Sequence, residues 1–199
     1  MKYLKKLLLA VILVIGFSSS AHAAEQISSF NSVVTVQKTG RVDVSEPISY
    51  DFGYASRHAI YRYIPVVYKD DQGVTYKPGF KFDSVAIDGQ STKFSTSRSG
   101  DNEVVKIGDA NKTITGPHVY TITYHFDSLL VDKDGDLLRY NVTGSGWQVP
   151  IAAASVKVVG PTTPKLTCYT GTVGSTDKDC EIDEAASTVT TTNISSGSD

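Results

Sequence analysis

The chain has 199 residues, of which 40% are hydrophobic and 20% charged, with a formal net charge of −2. That length suits one domain with a proper core. The slightly acidic balance excludes the basic stripe expected of a nucleic-acid-binding surface or of adhesion to anionic lipid.

The N-terminus indicates the compartment. Lys2, Lys5 and Lys6 precede an uncharged apolar run of 11 residues, Leu7 to Phe17, and Ala21-His22-Ala23 supplies a small-residue cleavage pattern. This order predicts a signal peptide over residues 1–23, removed after Ala23. The apolar run is too short for the roughly 20 residues of a membrane span. Removal takes three of the 19 basic residues and none of the 21 acidic ones, so 16 against 21 leaves −5 on residues 24–199. The expected location is extracytoplasmic, secreted or anchored on the outer side of the cytoplasmic membrane.

The remaining chain reads in period two. Val34 and Val36 alternate with polar residues before a Thr39-Gly40 turn, giving the first arm of a hairpin. Val42, Val44, Ile48, Tyr50 and Phe52 then share one face, interrupted only by Glu46. Pro47 has no N–H to donate, which places this strand at an edge or a bulge. Further strands are expected at 59–67, 80–87, 93–96 and 104–107, separated by turn signals such as Asp88-Gly89 and Gly100-Asp101-Asn102. Residues 118–126 alternate without interruption: His118, Tyr120, Ile122, Tyr124 and Phe126 on one face, Thr121, Thr123 and His125 on the other. Strands at 137–143, 149–159 and 165–170 follow. From Ser187 the chain turns Ser/Thr-rich, as a last strand fraying into a tail or linker over 187–199. No helical period is apparent. The pattern predicts an all-β domain over 24–186, a two-layer antiparallel β-sandwich of immunoglobulin-like architecture with one short Cys-clipped hairpin.

Few residues point to chemistry. Cys168 and Cys180 are an even pair in an exported chain, so a structural disulfide closes the hairpin. Asp132, Asp134 and Asp136 have the spacing of a calcium loop, but Leu137 and Thr143 stand where such a loop needs Gly and Glu. They read as a solvated acidic turn, with a weak calcium site as the alternative; no cofactor is expected. His118 and His125 lie seven apart on one strand and face opposite ways. Around Ser145, Thr143 and Trp147 replace the glycines of a nucleophile elbow. Tyr61, Tyr63, Tyr68, Tyr76 and Trp147 could line a groove for sugar or peptide, or pack at a sandwich rim as aromatic strand residues do.

Three segments carry a resemblance. They are Ile60-Tyr61-Arg62-Tyr63-Ile64-Pro65, Gly116 to Tyr124, and Tyr140-Asn141-Val142-Thr143-Gly144-Ser145-Gly146-Trp147-Gln148-Val149-Pro150-Ile151. In order and spacing they resemble the exported region of the predicted membrane proteins called domain of unknown function 2207. The opening strands with Gly40, Val44 and Glu46 resemble that family's start. The resemblance covers most of residues 27–180. It implies a signal peptide, an extracytoplasmic β domain, and membrane attachment through a segment beyond Asp199; it implies no activity. The sequence departs from the family at Arg139-Tyr140, where an aromatic-Trp pair is usual.

Within these motifs the residues of interest are Glu46, Arg62, Pro65, His118, Tyr120, Tyr124, Asn141, Gly144, Trp147 and Pro150. Glu46 on an apolar face needs a partner, and Arg62 is the candidate. Trp147 is expected to plug the space between the sheets. The expected function is a non-enzymatic cell-envelope module that binds protein or glycan and no nucleic acid; the alternative is an envelope hydrolase using His118 with a nearby carboxylate. For the cysteines, mass spectrometry of the unreduced exported chain should show a mass two hydrogens below that of the reduced chain, and two free thiols would contradict the pairing.

Overall fold

A computed structural model describes residues 24–69, 73–129, 137–172 and 174–197. The expected signal peptide, residues 1–23, and the acidic turn of Asp132, Asp134 and Asp136 lie outside the described residues. The strands are β1 (Gln26–Val36), β2 (Val42–Asp51), β3 (Ala59–Pro65), β4 (Tyr68–Lys69), β5 (Thr75–Tyr76), β6 (Phe80–Ile87), β7 (Gln90–Ser91), β8 (Phe94–Ser99), β9 (Asn102–Gly108), β10 (Pro117–Phe126), β11 (Ile151–Val159), β12 (Glu181–Asp183) and β13 (Thr188–Ile194). No helix occurs among the described residues.

The domain is all-β and two-layered, and the layers are unequal. One sheet has eight strands in the order β12-β13-β11-β1-β2-β10-β6-β7, and the other has three in the order β3-β9-β8; β4 and β5 form a separate pair. All the ladders are antiparallel except β1–β11, which is parallel from Ile27↔Ile151 to Thr35↔Val159. The three-stranded sheet covers the half of the large sheet built from β2, β10 and β6. Contacts across the layers include Arg62 of β3 with Glu46 of β2, and the Phe82 ring of β6 at 6.4 Å from the Phe94 ring of β8.

Burial follows the sequence period. Along β2, Val42, Val44, Glu46, Ile48 and Tyr50 are buried in strict alternation. Along β10, Tyr120, Ile122, Tyr124 and Phe126 are all 0% exposed and form the core face with Ile48, Ile64 and Ile107. A one-residue slip would reverse both faces.

Four expectations need correction. β2 is not an edge strand but lies between β1 and β10. Its Pro47 is opposite Thr121 in β10. On the β1 side the pairing breaks off between Phe30↔Ile48 and Val33↔Ser45, so the missing N–H falls at a gap in the ladder. Residues 137–143 and 165–170 are not strands: the first is a turn-rich loop, and the second is extended coil ending in a single bridge, Thr170↔Asp177. In the segment from Ser187, expected as a last strand fraying into a tail, Thr188–Ile194 is strand β13, paired with β11 and still in the sheet at buried Ile194. The Cys168–Cys180 disulfide is present, with Cα atoms 6.6 Å apart, and clips the turn around that bridge. Closing a loop of this size contributes about 2–4 kcal/mol on the usual chain-entropy argument.

The β10 core face has a direct test. Ile122→Ala should cost about 2–5 kcal/mol, the range for truncating a buried aliphatic side chain. Thr123→Ala, whose hydroxyl meets Ser84 on the solvent side at 2.7 Å, should cost much less. Urea unfolding compares the two; equal small losses would mean that the strand is peripheral.

Candidate functional site

The motif residues converge on a buried ion pair between the layers. Glu46 is 0% exposed and Arg62 is 1% exposed. Strand alternation turns each inward, Glu46 from β2 and Arg62 from β3. Arg62 Nε and Nη2 donate to Glu46 Oε2 and Oε1 at 2.9 and 2.7 Å, a bidentate fork. Nη1 donates to the carbonyls of Tyr63 and Thr143 at 2.8 and 2.6 Å, and Nη2 donates again to the carbonyl of Val142 at 2.9 Å. These five bonds match the five N–H donors of a guanidinium. The guanidinium also sits 5.2 Å from the centre of the Phe30 ring, a cation–π contact.

Glu46 Oε1 also accepts from the Tyr124 hydroxyl at 2.6 Å. The Tyr140 hydroxyl lies within hydrogen-bond distance of the Tyr124 oxygen and donates to Glu46 Oε1 at 3.2 Å. Burial first, and then the negative Glu46, raise both tyrosine pKa values well above the ordinary range, so both hydroxyls stay protonated as donors. Burial alone would lower the Arg62 pKa, but the Glu46 carboxylate more than offsets it and the net shift is upward.

The loop at 140–150 is shaped to this hub. Gly144 has φ +71, and a Cβ there would lie 2.7 Å from Arg62 Nη1. A Cβ on Gly146 would lie 2.7 Å from the Tyr63 ring. Asn141 Oδ1 accepts from the Gly144 N–H at 2.7 Å and fixes the turn. The Trp147 indole is 6% exposed, donates to the Thr143 carbonyl at 3.0 Å, and packs edge-on against Phe30. The Pro150 carbonyl accepts from the Ile27 N–H at 2.9 Å, which starts the β1–β11 register. Pro65 ends β3, and its carbonyl accepts from the Tyr68 hydroxyl at 2.9 Å.

His118 and Tyr120, on the same face as Tyr124, do not join this hub. Tyr120 is in the core against Tyr50 and Phe52, and its hydroxyl is buried without a hydrogen-bond partner among the described residues. His118 Nδ1 lies 2.7 Å from Asp88 Oδ2, and Nε2 lies 3.1 Å from the Thr115 carbonyl. The Val119 N–H and His118 hold the Asp88 carboxyl below its ordinary pKa. His125, on the opposite face, pairs with Asp83 at 2.8 Å. Among the described residues no group of His, Cys, Asp and Glu is arranged to hold a metal ion.

Two concavities among the described residues lie beside these motifs. A small one of about 80 Å³ is lined by Tyr63, Pro65, Asn102, Asn141 and Gly144 to Gly146. A larger groove of about 830 Å³ runs between the β1–β11–β13 half of the large sheet and the coil at 137–143, 165–172 and 174–175. Sequence reasoning misses the carbonyl acceptors, the place of Tyr140 at the hub, and this groove. Arg62 amid a glycine-rich motif hints at the first; nothing in the residue pattern points to the last.

The fold and hub define an all-β domain organised around one buried ion pair. Residues 26–199 match the family described as "Predicted membrane protein (DUF2207) N-terminal domain", and the chain belongs to that family. No curated protein matches its sequence. Among solved structures it is similar to the M1 zinc metallopeptidase from Deinococcus radiodurans, with TM-score 0.45 and 9% identity over 84% of this chain and 42% of that one. It is also similar to leukotriene A4 hydrolase from Saccharomyces cerevisiae, with TM-score 0.44 and 10% identity over 94% of this chain and 31% of that one. The chain therefore spans less than half of either protein, and likeness of this degree carries no argument about activity.

The hub makes a stability prediction. Removing one partner of a buried, hydrogen-bonded pair costs about 3–5 kcal/mol, because the other charge is left uncompensated. Arg62→Ala and Glu46→Gln should both fall near that range in urea unfolding. Arg62→Lys keeps the charge but not the fork, so it should recover only a minor part of the loss. Full recovery by Lys would show that charge alone matters at this position.

Proposed function

We propose that this chain is a non-enzymatic, extracytoplasmic β-sandwich module of a cell-envelope membrane protein, and that it binds a protein or glycan partner. One observation carries this reading: the charged and hydroxyl side chains at the centre of the motifs, Glu46, Arg62 and Tyr124, are 0–1% exposed. Their hydrogen bonds are made to one another and to backbone carbonyls, which suits a scaffold and not a reacting centre. The small concavity beside Tyr63, with Asn102, Asn141 and Ser145 around it, carries aromatic and amide groups, but at about 80 Å³ it has room for one substituent of a sugar or peptide and not for a whole unit. The disulfide suits an oxidising compartment. Membrane attachment accords with the family's description.

The second reading is a hydrolase using His118, and the Asp88 carboxylate 2.7 Å from its Nδ1 favours it. Against it, the far nitrogen is taken up by a backbone carbonyl, and His118 lines neither the groove nor the small pocket. The two readings separate by experiment. The mature protein should begin at Ala24 by N-terminal sequencing and be recovered outside the cytoplasm. A panel of ester, peptide and glycoside substrates should show no turnover that depends on His118. Turnover abolished by His118→Ala would replace the module reading with the hydrolase.

A further inference from the structure

We propose that the large groove takes the acyl chain of a single-chain anionic amphiphile, with Lys165 meeting its headgroup. This goes beyond the protein-or-glycan reading and does not depend on it. The three-stranded sheet covers only one half of the eight-stranded sheet. On the other half, Val34, Ala154, Val156, Val158, Val189 and Ile194 line the groove from β1, β11 and β13. Apolar side chains of this kind need cover. Here the cover is coil, contributed by Leu138, Tyr140 and Leu166 among others. Coil does not interdigitate with a pleated face as a second sheet does. The gap of about 830 Å³ that results far exceeds the water-sized voids of a packed interior. It falls in the range of small-molecule sites.

Three features select the occupant. First, β11 is paired on both sides, with β1 and β13, and β13 is paired with β11 and β12. β13 keeps its β12 partner only over Thr188 to Thr190, so among the described residues the wall has no free edge along β11, and an extended peptide would find strand-edge partners only past Thr190. A hydrocarbon chain has no N–H or C=O groups to satisfy. Second, the lining along β13 runs from Val189 to Ile194, five residue steps or roughly 16 Å at strand spacing. That is room for a medium-length acyl chain. Third, the charged side chains among the described lining residues are Arg139 and Lys165, and no Asp or Glu is among them. Lys165 is exposed at the rim, where a carboxylate head would emerge. An acidic body still disfavours adhesion to an anionic membrane surface, so the occupant is one molecule in a groove and not a bilayer. Cys168 and Cys180 both line the groove, so their bond fixes one of its walls.

The test uses the exported chain with its disulfide intact and dodecanoate at concentrations below micelle formation. Titration calorimetry should show saturable one-to-one binding. Hexanoate and dodecyltrimethylammonium should each bind at least tenfold more weakly, the first for lack of chain and the second for the wrong charge. Lys165→Glu, at an exposed position that leaves the core untouched, should weaken dodecanoate at least tenfold. Val156→Trp should block it, provided that the melting curve stays cooperative. Absence of saturation, equal binding of the cationic amphiphile, an unaffected Lys165→Glu variant, or binding to anionic vesicles without binding to monomeric dodecanoate would each overturn the proposal. The outcome is independent of the His118 turnover assay, so the two readings fail separately.

Discussion

The buried pair of Glu46 and Arg62 is the constraint on which the rest of this structure depends. Taking two charges out of water is expensive, and their mutual attraction offsets the loss only if the remaining hydrogen-bonding capacity is also met. Here it is met in full on the guanidinium side, through three backbone carbonyls besides the carboxylate. Those carbonyls belong to β3 and to the loop after residue 140. The pair therefore joins three parts of the chain, β2, β3 and that loop, which are remote in sequence. The loop has no ladder of its own to hold it. It is fixed because its carbonyls are the acceptors that the buried cation needs.

The other half of the large sheet is constrained in turn. The loop runs from the hub to Pro150, and there the chain enters β11 alongside β1. A parallel pair cannot be closed by a tight turn, so the chain must cross over first. Nearly all of the remaining domain, including the whole small sheet, lies in that crossover. The small sheet is thus placed over β2, β10 and β6, and what is left to cover β1, β11 and β13 is coil. The connection from β11 to β13 folds back across that face and is clipped by Cys168–Cys180. The groove is a product of topology: the large sheet has more inward surface than the second layer can reach.

Much of the fold is legible in the period-two pattern, for a physical reason. Where one face is core and the other is solvent, as on β2 and β10, the alternation of residue types is the fold written directly. The same alternation makes Glu46 conspicuous, since a carboxylate on a core face requires a partner. Legibility fails where backbone groups make the decisive contacts. The carbonyls of Val142 and Thr143 carry no side-chain signal, so an apolar-polar run at 137–143 has the pattern of a strand and is instead a loop pinned by Arg62. It fails again at Pro47, because whether a missing N–H matters depends on which neighbour it would face, a property of register and not of composition. β13 has the composition of a fraying tail because threonine on a half-covered strand gives little contrast between faces.

The three motif segments acquire a physical meaning together. The first supplies Arg62 and the Tyr63 carbonyl, the second supplies Tyr124, and the third supplies Tyr140, the Val142 and Thr143 carbonyls, and the glycines that let the loop approach. They are one packing arrangement distributed over the chain. That accounts for the burial of Arg62, Tyr124 and Trp147, whose hydrogen bonds are made inside this arrangement. The groove is largely separate from this arrangement. Most of the groove lining comes from β11, β13 and the Cys-clipped connection, outside the first two motifs and largely outside the third. Only the stretch from Tyr140 to Thr143 belongs to both, lining the groove while its carbonyls reach Arg62. Substitutions at the hub should therefore reach the groove through this shared segment, whereas substitutions in the Cys-clipped wall can alter the groove without disturbing the ion pair.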